Sequence, residues 1–106
     1  MKIIDPGHRY KLRDNKSLSE STELVFFKDS DINGSGYPGT TNQEVIRALI
    51  DRVQFLNSQL PHRFNSEIID CLRRALALHE MRHIERLVER GFSVEAIPAQ
   101  KSGHFI

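Results

Sequence analysis

The spacing of apolar residues along this chain changes character near residue 41. Before that point the signals are short. Arg9-Tyr10-Lys11-Leu12 alternates weakly, residues 13–21 are polar and turn-like, and residues 22–28 are rich in β-branched and aromatic side chains. Two strands joined as a hairpin are predicted, and such a pair is marginal unless it packs on something. Residues 29–40, with three Gly and one Pro, read as a loop. Thr41-Asn42-Gln43-Glu44 then has the form of a capping box, Thr at the N-cap with Glu three residues on. A helix is predicted from there to about residue 58, with Val45, Ile46, Leu49, Ile50, Val53 and Leu56 on one face. Residues 60–64 break the pattern. A second helix is predicted from Asn65 or Ser66, both good caps, to about Arg90, with Gly91 as its C′ residue. At that length it spans roughly 37 Å. Its main stripe is Ile68, Ile69, Leu72, Leu76, His79, His83 and Leu87. Residues 92–97 are a candidate last strand, and the tail after Pro98 is expected to be loose.

These elements predict an α+β fold: a small N-terminal antiparallel sheet packed on a long antiparallel two-helix hairpin, within a single domain over 1–106. Its parts are a β-hairpin and loop over 1–40, the helical hairpin over 41–90, and a strand and tail over 91–106. The second helix is apolar on more than one side, because Ala77, Met81 and Ile84 lie roughly opposite the main stripe and Leu78 sits between. A helix with two apolar faces needs two covers, which predicts an oligomer.

Composition narrows the class. The chain is 39% hydrophobic and 27% charged, with no apolar run long enough to span a membrane. The first six residues turn polar too soon for a signal peptide. The lone Cys71 cannot form an internal disulfide and suits the reducing cytoplasm of a host cell. A net charge of +1 argues against a nucleic-acid polymer as partner. The cations themselves are mostly Arg, and no Lys occurs between residues 29 and 100. The Arg guanidinium offers a rigid fork of donors suited to carboxylates and phosphates.

Residues 79–83, His79-Glu80-Met81-Arg82-His83, spell the zinc-protease helix motif, in which two His one turn apart hold the metal and the Glu acts as general base. A small zinc metallopeptidase is weakly supported. A catalytic zinc needs a third protein ligand; Arg86 and Glu89 stand where the longer form of the motif has Gly and His; and Arg82 places a cation inside the motif. The bland reading makes both His part of the apolar stripe. No metal ligand, catalytic residue or cofactor is assigned.

The same segment read for arginine places Arg82 and Arg86 one turn apart. Two adjacent guanidinium forks suit a pyrophosphate, each bonding one phosphate bidentately; pairing with Glu85 and Glu89 is the bland alternative. Asn65 stands at a helix start and its amide matches an adenine edge, while Phe64 beside it offers a face on which a base can stack. A two-fold dimer would bring the Asn65 end of one chain to the Arg82–Arg86 end of another.

The stretch from Gly36 to Arg52, GYPGTTNQEVIRALIDR, and the spaced set Asn65, Leu72, Arg73, Ala75, Leu76, Glu80, Arg82 and Arg86 resemble the hairpin of the phage Thoeris anti-defence nucleotide sponges, related to anti-CBASS sponges. The likeness covers roughly residues 36–90. It implies a protein that is not an enzyme. Such a protein binds a cyclic ADP-ribose-type signal, or a cyclic nucleotide, without cutting it, and forms homodimers or hexamers built from dimers. It also implies a ligand site between subunits that uses Asn65, Arg82 and Arg86 and a further Arg from the first helix. For the last, Arg52, which flanks the apolar stripe, is preferred to Arg47, which points away. The remaining reading is a structural or interaction hairpin with no small ligand.

Overall fold

The computed structural model describes residues 1–92. The candidate strand over 92–97 and the tail therefore lie, but for Phe92, outside the described residues. The element order is β1 (Lys2–Asp5), β2 (Arg9–Leu12), β3 (Thr22–Val25), α1 (Asn42–Gln59) and α2 (Asn65–Glu89). The class is α+β, a three-stranded antiparallel sheet followed by a helical hairpin. The chain divides into two compact units, Met1–Thr40 and the segment from Thr41 on.

In the first unit β2 and β3 form the expected hairpin, with Tyr10 opposite Leu24, and β1 adds to the other edge of β2, with Ile3 opposite Tyr10. β1 was not anticipated. Its signal is Pro6-Gly7: His8 N–H donates to the Asp5 carbonyl at 2.9 Å and Gly7 has φ +80°, a turn that Pro and Gly favour at its two central positions. Residues 29–40 are more ordered than a plain loop. They return to the end of β3, where Phe27 N–H donates to Thr40 O at 3.0 Å, Thr40 N–H to Val25 O at 2.8 Å, and Lys28 and Tyr37 exchange two bonds of 3.0 Å. Tyr10 and Phe26 meet edge to face at 6.0 Å between ring centres.

Two carboxylates organise the polar parts of this unit. Asp5 accepts from the Tyr37 hydroxyl and from Lys28 Nζ at 3.1 Å. Those bonds, the tyrosine's first, lower its pKa, and the same bond raises that of Tyr37. Asp14 accepts from Ser21, Thr22 (2.8 Å), Ser19 (3.1 Å) and Ser17 (3.3 Å), so the polar 13–21 turn is gathered around one anion whose pKa these donors lower.

In the second unit, the Thr41 hydroxyl caps α1, accepting from Glu44 N–H at 3.2 Å, as the capping box predicts. α2 ends as predicted too. Gly91 has φ +95°, its N–H donates to Val88 O at 2.9 Å, and Phe92 N–H donates to Leu87 O at 3.1 Å, the paired bonds of a Schellman motif. The start of α2 departs from expectation. Neither Asn65 nor Ser66 is the cap; Phe64 is, with no side-chain cap bond, and Asn65 is the first helical residue.

α1 and α2 pack antiparallel. The inward residues step by three and four along each helix: Gln43, Ile46, Ile50, Val53 and Asn57 on α1, and Asn65, Ile69, Leu72, Leu76, His79, His83 and Arg86 on α2. That is the spacing of a coiled-coil seam. Its apolar part is short, Ile46, Ile50 and Val53 against Ile69, Leu72 and Leu76, with polar layers at both ends. The stripe expected on α1 therefore splits. Ile46, Ile50 and Val53 turn inward, whereas Leu49 and Leu56 stay 44% and 43% exposed. Two adjacent rows of apolar residues are wider than one seam can cover. Among the described residues no apolar side chain is fully buried, and Gln43, 1% exposed, and His83, 8% exposed, are the buried ones.

Candidate functional site

The turn between the helices is held by a residue the sequence reading passed over. Asn57 Oδ1 accepts from His62 N–H at 3.1 Å and from Asn65 Nδ2 at 2.8 Å. One N–H of the Asn65 amide is thereby engaged by the turn, which leaves its second N–H and its Oδ1 for other partners. Beside it Phe64 is half exposed. Arg63 lies over its ring at 4.8 Å, and His62 sits at 5.3 Å between ring centres and accepts from Phe64 N–H at 3.2 Å. The tip therefore carries a cation, an aromatic face and an amide side by side, a set suited to a planar base. Asn57→Ala is expected to lower stability by about 1–2 kcal/mol, since two donors lose their acceptor. The check is hydrogen exchange: protection of the His62 amide equal to that of the unaltered chain would show that the bond holds nothing.

Arg82 is exposed and, among the described residues, makes no ion pair; Glu85 and Glu89 are exposed as well. Arg86, one turn on, is half buried at the seam. The two share an end of α2, as expected, but they are unequal: Arg82 stands on the flank of the hairpin and Arg86 partly within it. Asn65 lies at the other end of the same helix, about 26 Å from Arg82 along its axis. One chain does not bring these side chains together.

Of the α1 arginines, Arg52 is exposed on the apolar flank. The expected orientation of Arg47 is corrected. Arg47 does not point away: it is half buried and reaches across the seam to Glu80, Nη2 to Oε1 at 2.9 Å, with Glu44 at 3.8 Å from Nη1. Helical spacing alone placed it on the side away from the apolar stripe, and the facing Glu80 carboxylate draws it inward. That pair also occupies the Glu of the HEMRH segment. His79 and His83 lie on the seam, and among the described residues no three His, Cys, Asp or Glu side chains converge on a point that could hold a metal ion. Cys71 is a free, exposed thiol. Among the described residues no helix is long and apolar enough to cross a membrane.

In class, then, the chain is an α+β protein whose helical hairpin bears ligand-type side chains at both of its ends. Comparison with known proteins adds no relative: no family model, curated protein or solved structure matches it.

Proposed function

We propose that this chain is a phage or prophage anti-defence protein that binds a cyclic ADP-ribose-type or cyclic nucleotide immune signal in the host cytoplasm and holds it uncleaved. In this reading it works as a homodimer, or a hexamer built from dimers. Arg82 and Arg86 clamp the pyrophosphate, the Asn65 amide reads a base, Phe64 stacks on it, and Arg52 adds a further cation. The observation that carries the reading is the division of α2. Base-type groups sit at one end and phosphate-type groups at the other, about 26 Å apart, with an uncovered apolar hairpin between them. Such a chain binds a two-headed ligand only by meeting another copy.

The test is a native mass spectrum of protein purified from cells that make the signal and from cells that do not. The expected result is an added mass of one intact cyclic nucleotide per site from the producing cells only, released unchanged on heating. If no nucleotide is retained and calorimetry with cyclic ADP-ribose isomers is silent, the sponge reading falls and a plain interaction hairpin takes its place. Release of a linear product would point to an enzyme instead.

A further inference from the structure

The chain holds five asparagines, and the structure treats them differently. Asn42, Asn57 and Asn65 lie in helices. Asn57 and Asn65 are also joined side chain to side chain at 2.8 Å. Asn15 lies in the exposed 13–21 turn and is followed by Lys16. Asn33 stands apart. It is exposed, its side-chain amide makes no hydrogen bond among the described residues, and Gly34 follows it.

We propose that Asn33 is a site of spontaneous deamidation in the folded protein, a slow covalent change to aspartate or isoaspartate that the turn around Asp31 restrains.

The chemistry needs only this chain and water. The Gly34 backbone nitrogen, having lost its proton to solvent base, attacks Asn33 Cγ. A C–N bond forms, the Cγ–Nδ2 bond breaks, and the side-chain nitrogen takes up a proton and leaves as ammonia. The product is a five-membered succinimide ring. Water then adds to one of the two ring carbonyls. Opening on one side restores the backbone and leaves an aspartate side chain. Opening on the other carries the backbone through Cγ and leaves isoaspartate. In sum, one amide and one water give one carboxylate and one ammonia.

Gly34 is what opens the path. A Cβ on the attacking residue crowds ring closure; Gly34 has none, and the space a Cβ would fill is empty to 4 Å. Its φ of +70° belongs to a tight turn rather than to a helix. For Asn42, Asn57 and Asn65 the ring can close only if the asparagine leaves helical ψ, which the surrounding turns of helix resist.

The Asp31 turn works against the same step. Gly34 N–H donates to the Asp31 carbonyl at 3.0 Å. Asp31 Oδ1 accepts from Asn33 N–H at 2.8 Å and Ser35 N–H at 3.2 Å, and Oδ2 accepts from the Ser35 hydroxyl at 2.7 Å. These bonds, the Ser35 hydroxyl's first, hold the Asp31 pKa below its ordinary value, so the carboxylate is charged at neutral pH. A fixed negative charge beside Gly34 opposes loss of a proton from its nitrogen. The turn thus slows a reaction that its own Asn-Gly pair permits.

The product differs from the parent in two ways. A carboxylate at residue 33 removes the chain's single net positive charge and stands close to Asp29 and Asp31. Isoaspartate also adds a methylene to the backbone between residues 33 and 34, so Gly34 N–H and Ser35 N–H cannot both keep their Asp31 acceptors.

The experiment is timed incubation of the full chain, followed by peptide mapping with mass spectrometry. The peptide that spans residue 33 is expected to become about 1 Da heavier with time and to split into an aspartate and an isoaspartate form. Because the deprotonated nitrogen is the attacking species, the rate is expected to rise about tenfold per pH unit above neutrality. Gly34→Ala is expected to slow the change about tenfold, since ring closure depends on close approach. Asp31→Ala, which frees the turn, is expected to speed it severalfold. An unchanged mass at residue 33 after long incubation in mild base overturns the proposal, as does a change that falls first on Asn15, Asn57 or Asn65. A rate in Asp31→Ala equal to that of the unaltered chain overturns the restraint given to the turn.

Discussion

Arg82→Ala is expected to bind a cyclic ADP-ribose-type ligand about 30- to 1000-fold more weakly than the unaltered chain, a loss of about 2–4 kcal/mol, the scale for stripping a buried charged group of its partner. The side chain gives an unusually clean measurement. It is exposed and makes no ion pair among the described residues, so its removal leaves the hairpin's own bonding untouched. Melting temperature should therefore stay within a degree or two while affinity collapses, and Arg82→Lys should recover only part of the loss, because an ammonium lacks the planar fork. Arg86→Ala is expected to weaken binding on the same scale, but Arg86 is half buried at the seam, so its affinity must be read beside its own melting curve. Titration calorimetry on the two variants decides the matter, and unchanged affinity in both would reject the pyrophosphate clamp.

Gly39→Ala is expected to destabilise the sheet unit by about 3 kcal/mol, near the top of the range for steric overpacking. A Cβ at residue 39 would lie 2.5 Å from Phe26 C, 2.6 Å from Phe27 N and 2.7 Å from Val25 O. All three are backbone atoms of one segment, so no side chain can rotate out of the way. Relief requires the 29–40 segment to lift from the end of β3, which breaks the Phe27–Thr40 and Thr40–Val25 bonds together. Gly34 is a useful contrast: a Cβ there meets nothing, and its φ of +70° makes the cost one of backbone preference alone. Amide exchange at Phe27 and Thr40 reads the effect directly. Protection at those amides equal to that of the unaltered chain would show that the segment is not held against β3 as described.

Both predictions concern residues whose type was plain in the sequence and whose role was not. Arg82 could be singled out by its spacing from Arg86. That it makes no ion pair among the described residues, while Arg47 is claimed by Glu80, depends on which carboxylate faces which flank, a matter of residues more than thirty positions apart. Glycines in the 29–40 segment marked it as a loop, but only its return to β3 makes Gly39 irreplaceable. Asn65 shows the same division. Its place at the start of α2 was legible from the break before it, whereas its bond to Asn57, and the loss of its expected capping role, came from the way the turn closes.

What the sequence determined by itself was punctuation and period. Thr41 with Glu44, Gly91 after the last turn, and the alternation on either side of the 13–21 turn each act through backbone groups a few residues away, so local chemistry suffices to set them. Tertiary structure alone decided the split of the α1 stripe into covered and uncovered rows, because a periodicity of apolar letters shows that rows exist without showing how many of them one antiparallel seam can bury.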